Sequence, residues 1–570
     1  MDFINRLNRS PLFIILLFLI TFSQNLISEE ISDEFKLGQI IQVQLIKEDI
    51  DKTIDIIKRY HIGSIIFYRQ TNIKDTIETF NKLQQASIDH TDIPLIFAAD
   101  FETGAAYNMK ECATVFPQEM GVAATGSTAL AENIAKAVAL EAKSMGVYWN
   151  YSPVADVNTN HNNPVIGIRS FSDDPNIVSQ FVEAYVEGYQ SNGIIATAKH
   201  FPGHGNTDVD SHLNLPIIND DLDTLTNIHL KPFRIAIQND VKSIMTAHII
   251  VNSLDSANPA TFSKTSLTKL LRDTMGFNGI IVTDALNMDA IDKFYNVDEA
   301  ALNALNAGAN VLMATGDYNE QKQILDGLSN ALKNNRINKE MLNYSYNHMM
   351  KLKGNLGIID NPFMDYNKAV QACSSIEHKK LSKDAFEKSL TLLVNNDTLP
   401  IKNNSTLYVA GPYGSKELSE SFYKAGFKTY YTELPNINNM SEEDINKIIN
   451  SIEKYLRNCD YFIFTTFSSE KPPLHKNQVL FAHLLKNYNK PLIIISLGLP
   501  YDIISLNFSD AFIATYALNR FKEPMTINKG LYSVLIDAVR DLLTGGINPV
   551  GTLPVDIPGT IYKRGYRVSN

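Results

Sequence analysis

The chain predicts an α/β protein of two domains: a (β/α)8 barrel over residues 29–358, a linker over 359–387 and a second α/β domain over 388–570. Three observations carry this. Eight short apolar, β-branched runs alternate with longer polar segments of helical period, which implies crossover connections and a parallel sheet. Several of those runs end in a reactive polar residue. A separate strand–helix rhythm then begins after Leu381.

The runs of the first domain, in order, are "QIIQVQLI", "GSIIFY", "PLIFAAD", "VYWNYSP", "IIATAKHF", "SIMTAHII", "GIIVTDAL" and "NVLMATG". Between them lie segments such as "STALAENIAKAVALEAKSMG", whose apolar spacing suits a helix packed on a sheet. Eight units in about 280 residues match the arithmetic of a TIM barrel. Asp100, His200, His248 and Asp284 fall at the C-terminal ends of their runs. Active sites of such barrels form at that face. A doubly wound sheet would instead gather such residues at one switch point. "NNRINKEMLNYSYNHMMKLKGNLGI" reads as a helix closing the barrel, and 359–387 as a mixed linker. The second domain shows "KSLTLLVNN", "STLYVAG", "FKTYYTEL", "DYFIFTTFSS", "PLIIISLG" and "DAFIATYAL", with helical segments such as "SEEDINKIINSIEKYLRN". Its Gly- and Pro-rich end predicts an extended tail lying on that domain.

Composition narrows the class. The 44% hydrophobic and 20% charged content is ordinary for a globular chain. Net charge is −11 with no basic run beyond the N-terminus, which argues against a nucleic-acid partner. Residues 1–28 read as a signal peptide: Arg6 and Arg9 precede an apolar stretch, Leu12–Phe22, too short for a comfortable span. The expectation is export to a periplasmic or extracellular compartment, without stable membrane insertion after the leader is removed. An uncleaved anchor is the alternative. Cys112, Cys373 and Cys459 show no metal or redox spacing and read as buried free thiols, with a Cys373–Cys459 pair in an oxidising compartment as the alternative.

The densest chemistry is in "KHFPGHGNTDVDSH", Lys199 to His212. A metal reading needs converging imidazoles or carboxylates, and Pro202 with two glycines forbids the helical i, i+4 pair of a zincin. An acid/base reading takes His212 as proton donor and Asp210 as orienter, the carboxylate favouring the charged imidazole. Gly203 and Gly205 suit a tightly folded, mobile backbone there, and His204 has no evident role. Asp284 ends a strand, where it could also cap the next helix. Asp100 and Arg169, together with Lys199 and His200, would make a polar cup. Such a cup suits an uncharged polyhydroxylated ligand, because hydroxyls need both donors and acceptors.

"SPVADVNTNHNNPVIGIRSFSDDP", "ATAKHFPGHGNTDVDSH" and "GIIVTDALNMDAI", in this order, resemble glycoside hydrolase family 3, in its β-N-acetylhexosaminidase branch. The likeness covers about residues 35–355. "PLIIISLGLPYDI" and "GGINPVGTLPVDIP" are similar to that family's C-terminal α/β sandwich domain. The resemblance implies Asp284 as nucleophile, His212 as acid/base and Asp210 as its dyad partner. It implies Asp100, Arg169, Lys199 and His200 as sugar ligands, with neither cofactor nor metal. One departure is Asn108 in "AAYNMK", where the pattern expects arginine and a substrate contact.

The leading expectation is thus a retaining, exo-acting β-N-acetylglucosaminidase working on peptidoglycan fragments or other GlcNAc oligosaccharides. Within the family the alternatives are a β-glucosidase or β-xylosidase, and a GlcNAc phosphorylase. Outside it stand a metal-dependent hydrolase using the histidine cluster and a non-catalytic glycan binder.

Overall fold

The computed structural model describes residues 31–568 apart from 71, 110–112, 374, 469–471 and 519–528. The expected signal peptide and Cys112 lie outside the described residues. All eight apolar runs of the first domain form strands: β1 (Ile41–Gln44), β2 (Ser64–Ile66), β3 (Ile96–Ala99), β4 (Val147–Asn150), β5 (Ile195–Phe201), β6 (Ser243–Thr246), β7 (Ile280–Val282) and β8 (Leu312–Ala314). They pair in parallel in chain order, and β8 returns to β1 through Ile41–Leu312. The bridge Val282–Val311 closes the ring. Strands covered on both faces need continuous apolar sequence, and β2, β3, β5, β6, β7 and β8 are buried throughout.

The barrel interior is filled rather than hollow. Trp149 is wholly buried and its indole N–H donates to Thr197 Oγ1 at 2.9 Å, tying β4 to β5. Tyr151 donates to Gln42 across the interior. The outer helices start where local chemistry sets them. Ser127 caps Thr128–Ser144, Asp174 caps Pro175–Gln190 with proline in its first turn, and Asp317 forms a capping box with Glu320. The predicted closing helix is Lys339–Asn355. Its Lys353 is wholly buried and donates to Gln39 Oε1 and Pro94 O, both at 2.8 Å.

Residues 359–387, expected as a mixed linker, carry helix Tyr366–Ala372 and most of helix Ile376–Ser389. Asp365 and Ser375 cap them, and Ala369, Ala385 and Phe386 bury apolar surface. The second domain is a six-stranded sheet: β9 (Thr391–Asn395), β10 (Thr406–Gly411), β11 (Lys428–Glu433), β12 (Tyr461–Thr466), β13 (Leu492–Ser496) and β14 (Ala511–Ala514). The spatial order is β9-β14-β13-β12-β10-β11, parallel except for β9 against β14.

The apolar core does not stop at the domain boundary. Ile168, Met120 and Ala124 of the first domain pack in one cluster with Leu499, Tyr501 and Phe512 of the second. The extended tail lies on both domains. Thr552 N–H donates to Ala124 O at 2.9 Å, Asp556 N–H to Asp173 at 2.9 Å, and Val568 N–H to Leu392 O at 2.9 Å. Cys373 and Cys459 are both buried. Among the described residues no helix is long and apolar enough to cross a membrane.

Candidate active site

At the C-terminal mouth of the barrel is a pocket of about 350 Å³. Asp100, Arg169, Lys199, His200, His212 and Asp284 all line it. Six of the seven candidate residues therefore converge, although they come from five separate strand ends and loops. The seventh, Asp210, stands directly behind His212. Its Oδ1 accepts from His212 N and sits 2.9 Å from the imidazole Nδ1, and its side chain is 5% exposed against 47% for His212.

One wall is a charged cluster around a residue the sequence did not single out. Glu102 accepts from Arg169 through Nε (3.0 Å) and Nη2 (2.7 Å), the fork-to-fork geometry that favours arginine. Lys199 Nζ contacts Glu102 Oε1 at 2.7 Å and donates to Asp100 Oδ1 at 2.6 Å. Burial opposes ionisation of Glu102, but Arg169 and Lys199 outweigh it and hold the carboxyl far below its usual range. Burial likewise opposes the lysine charge, and Asp100 with Glu102 outweighs it, so Lys199 stays protonated. Two cations and two carboxylates thus form a neutral, pre-aligned set of donors and acceptors.

Asp156 is the second unforeseen residue. It is wholly buried and receives His200 N (3.2 Å), His204 N (2.6 Å) and a 2.7 Å contact from His200 Nδ1. Burial pushes its pKa up, and His200 more than reverses this. It fixes the His200 ring and leaves Nε2 for a ligand. "DFETG" and "PVAD" each place a carboxylate just beyond a strand, the signal already used for Asp100 and Asp284, so Glu102 and Asp156 were within reach of it.

Asp284 follows β7. Its Oδ1 accepts from Ala285 N at 2.8 Å, so its local bond is to the next residue rather than a helix cap further on. Burial alone would raise its pKa; His248, His200 and the Ala285 N–H outweigh burial and keep it ionised. His248 Nε2 lies 2.9 Å from Ala285 O and Nδ1 2.8 Å from Thr261 Oγ1, which braces the backbone beside the carboxylate.

One sequence expectation changes here, and two are sharpened. Asp210 was expected to favour the charged form of His212. Burial in the pocket mouth is the larger effect and lowers the imidazole pKa despite the pull of Asp284. The departure at Asn108 accords with the structure: in place of the arginine contact, Asn108 is buried, donates to Asp100 O at 2.9 Å, and leaves neighbouring Tyr107 to line the pocket. Gly203 and Gly205 serve the tight folding expected of them. A Cβ on Gly205 would sit 1.7 Å from Val157 O, and Gly203 has φ +124° against His229. Among the described residues no three His, Cys, Asp or Glu side chains converge as a ligand set for a metal ion.

An enzyme-like pocket on a barrel of this topology has counterparts among known proteins. Residues 33–352 match the model of the glycosyl hydrolase family 3 N-terminal domain, and the chain belongs to that family. It is 33% identical over 377 residues to beta-hexosaminidase A of Pseudoalteromonas piscicida, covering 62% of each chain. It is 26% identical over 374 residues to the beta-N-acetylglucosaminidase/beta-glucosidase of Cellulomonas fimi, covering 64% of this chain and 65% of that one. These matches span less than two thirds of either relative. A solved family 3 beta-N-acetylglucosaminidase from Paenibacillus sp. str. FPU-7 superimposes with a TM-score of 0.82 at 27% identity, over 93% of this chain and 100% of that chain.

Proposed function

We propose that the protein is an exported, retaining, exo-acting β-N-acetylglucosaminidase that removes terminal GlcNAc from peptidoglycan fragments or other oligosaccharides. The observation that carries this is one small pocket in which an ionised Asp284 and the His212–Asp210 pair meet the Asp100–Lys199–Glu102–Arg169 cluster. A volume near the low end of small-ligand sites suits one terminal sugar. Val165, Met288 and Met313 give the same pocket apolar surface for an acetyl methyl group.

The cluster binds the sugar hydroxyls. Protonated His212 donates to the glycosidic oxygen as the Asp284 carboxylate attacks the anomeric carbon. The bond to the leaving group breaks and a glycosyl ester forms. Neutral His212 then takes a proton from water, whose oxygen attacks the same carbon and releases Asp284. A neutral imidazole does not repel an anionic acceptor, so the same site also suits phosphate as the attacking group.

The test is a panel of nitrophenyl glycosides, with and without phosphate. We expect cleavage of the GlcNAc derivative and loss of roughly three orders of magnitude or more in Asp284→Ala, with sugar binding retained. Cleavage of the glucoside but not the GlcNAc derivative would overturn the substrate assignment. Unchanged turnover in Asp284→Ala would remove it as nucleophile.

A further inference from the structure

His204 lies in the motif that carries His212, yet the mechanism above does not use it. It is 2% exposed, and its backbone is held at both ends: N–H to Asp156 at 2.6 Å, carbonyl from Asn163 Nδ2 at 2.8 Å. Its ring spans two hydroxyls, Nδ1 to Thr207 Oγ1 and Nε2 to Ser211 Oγ, both at 3.0 Å. The Thr207 proton is directed at His204 O, 3.3 Å away. With the ring in its Nδ1–H tautomer, Thr207 Oγ1 accepts from Nδ1–H while donating to His204 O, and Nε2 accepts the Ser211 hydroxyl proton. Ser211 is the residue between Asp210 and His212, and it is itself buried. The loop's outer ties, Asn160 to Asp208 and Lys293 to Leu213 O, are exposed to solvent. A hydrogen bond shielded from water contributes more to a fixed geometry than exposed ones.

We propose that His204 is a positioning residue: its bond to Ser211 latches the acid/base loop so that His212 and Asp210 face Asp284. A neutral ring is required, since a protonated one would lose its acceptor. Burial supplies this by pushing the His204 pKa down to about 4. His200 faces the ring from its own strand end, and Asp156, Asn163 and Arg169 from the loop after β4.

The latch rests on His212 being the general acid, so the experiment measures both. kcat/KM, which reports glycosylation, is determined for H204F, S211A, S211T and H212A. Two GlcNAc aryl glycosides are used, one with an activated dinitrophenolate leaving group and one with unactivated phenolate. Loss of acid assistance penalises the phenolate far more. We expect H212A to show that selectivity. H204F and S211A should follow it, falling about 10- to 100-fold on the phenyl glycoside and less than about threefold on the dinitrophenyl one. Inhibition by free GlcNAc should be unchanged, and S211T should recover most of the activity. Equal losses on both glycosides, or none, would overturn the latch. If H212A alone shows selectivity, only the latch fails. If H212A shows none, the acid assignment fails and the latch with it.

Discussion

Replacing Glu102 with glutamine tests the construction of the wall proposed to bind the sugar. The carboxylate is 4% exposed and meets three donor atoms, Arg169 Nε and Nη2 and Lys199 Nζ, within 3.0 Å. An amide offers one oxygen and one NH2, so at least one donor would face another donor. It also removes the carboxylate that bridges Arg169 and Lys199, leaving Asp100 as the one carboxylate among the described residues in direct contact with the pair. Breaking one partner of a buried ionic set costs about 3–5 kcal/mol. With about 2.1 cal/mol/K of unfolding entropy per residue, a cooperative unit of this length shifts by roughly 1 °C per kcal/mol, so E102Q should melt about 3–5 °C below the wild type. Arg169 and Lys199 would also shift relative to the anomeric carbon, and a misplacement of this kind costs on the order of 10²-fold in rate. Scanning calorimetry and kcat/KM on a GlcNAc aryl glycoside measure the two effects. A variant melting within 2 °C or so of the wild type, with activity within about threefold, would refute the reasoning that Glu102 neutralises and aligns this wall.

Two further outcomes concern protons. Asp284 must be ionised and its pKa is lowered, so kcat/KM should rise with pH below the ordinary carboxylate range. His212 must be protonated and its pKa is also lowered, so activity should fall as pH rises through a value below about 6.5. The profile is a bell on the acid side of neutrality, and an alkaline limb above pH ~7 would contradict it. Lys353 gives a stability effect instead. Burial pushes it down to about 7, whereas an unfolded lysine holds its proton to about 10.4. Between those values the unfolded chain binds more protons, so this residue makes stability rise with pH across that window. Denaturant melts of K353M at pH 7 and 9 should lack that part of the rise; parallel curves for the two proteins would show Lys353 to be charged in the fold.

The barrel was legible because strand periodicity is local: each of the eight runs carries its own β-branched, apolar signal, and each became a strand. Candidate residues were legible where a strand ended in Asp or His. Glu102 shares that strand-end signal, but its weight lies in its contacts with Arg169 and Lys199, 67 and 97 positions away, which no local pattern connects. The glycines were read for conformational freedom, while the contact of Gly205 with Val157 O is a tertiary fact. The pKa direction of His212 was misjudged for a similar reason. Its neighbour Asp210 is visible in sequence, but the burial that dominates is not. The helices within 359–387 had caps in plain sight, Asp365 and Ser375, outweighed in the reading by the segment's mixed composition.

The cluster that joins Ile168 to Leu499 and Tyr501 has a thermodynamic meaning. Ile168 immediately precedes Arg169, so the second domain cannot loosen without releasing the loop that presents the guanidinium. The two lobes should therefore melt as one cooperative unit, with van't Hoff and calorimetric enthalpies in agreement. By the same logic, a barrel cut off at residue 358 would bare Met120, Ala124 and Ile168 to solvent, and its sugar wall would lose its outer support.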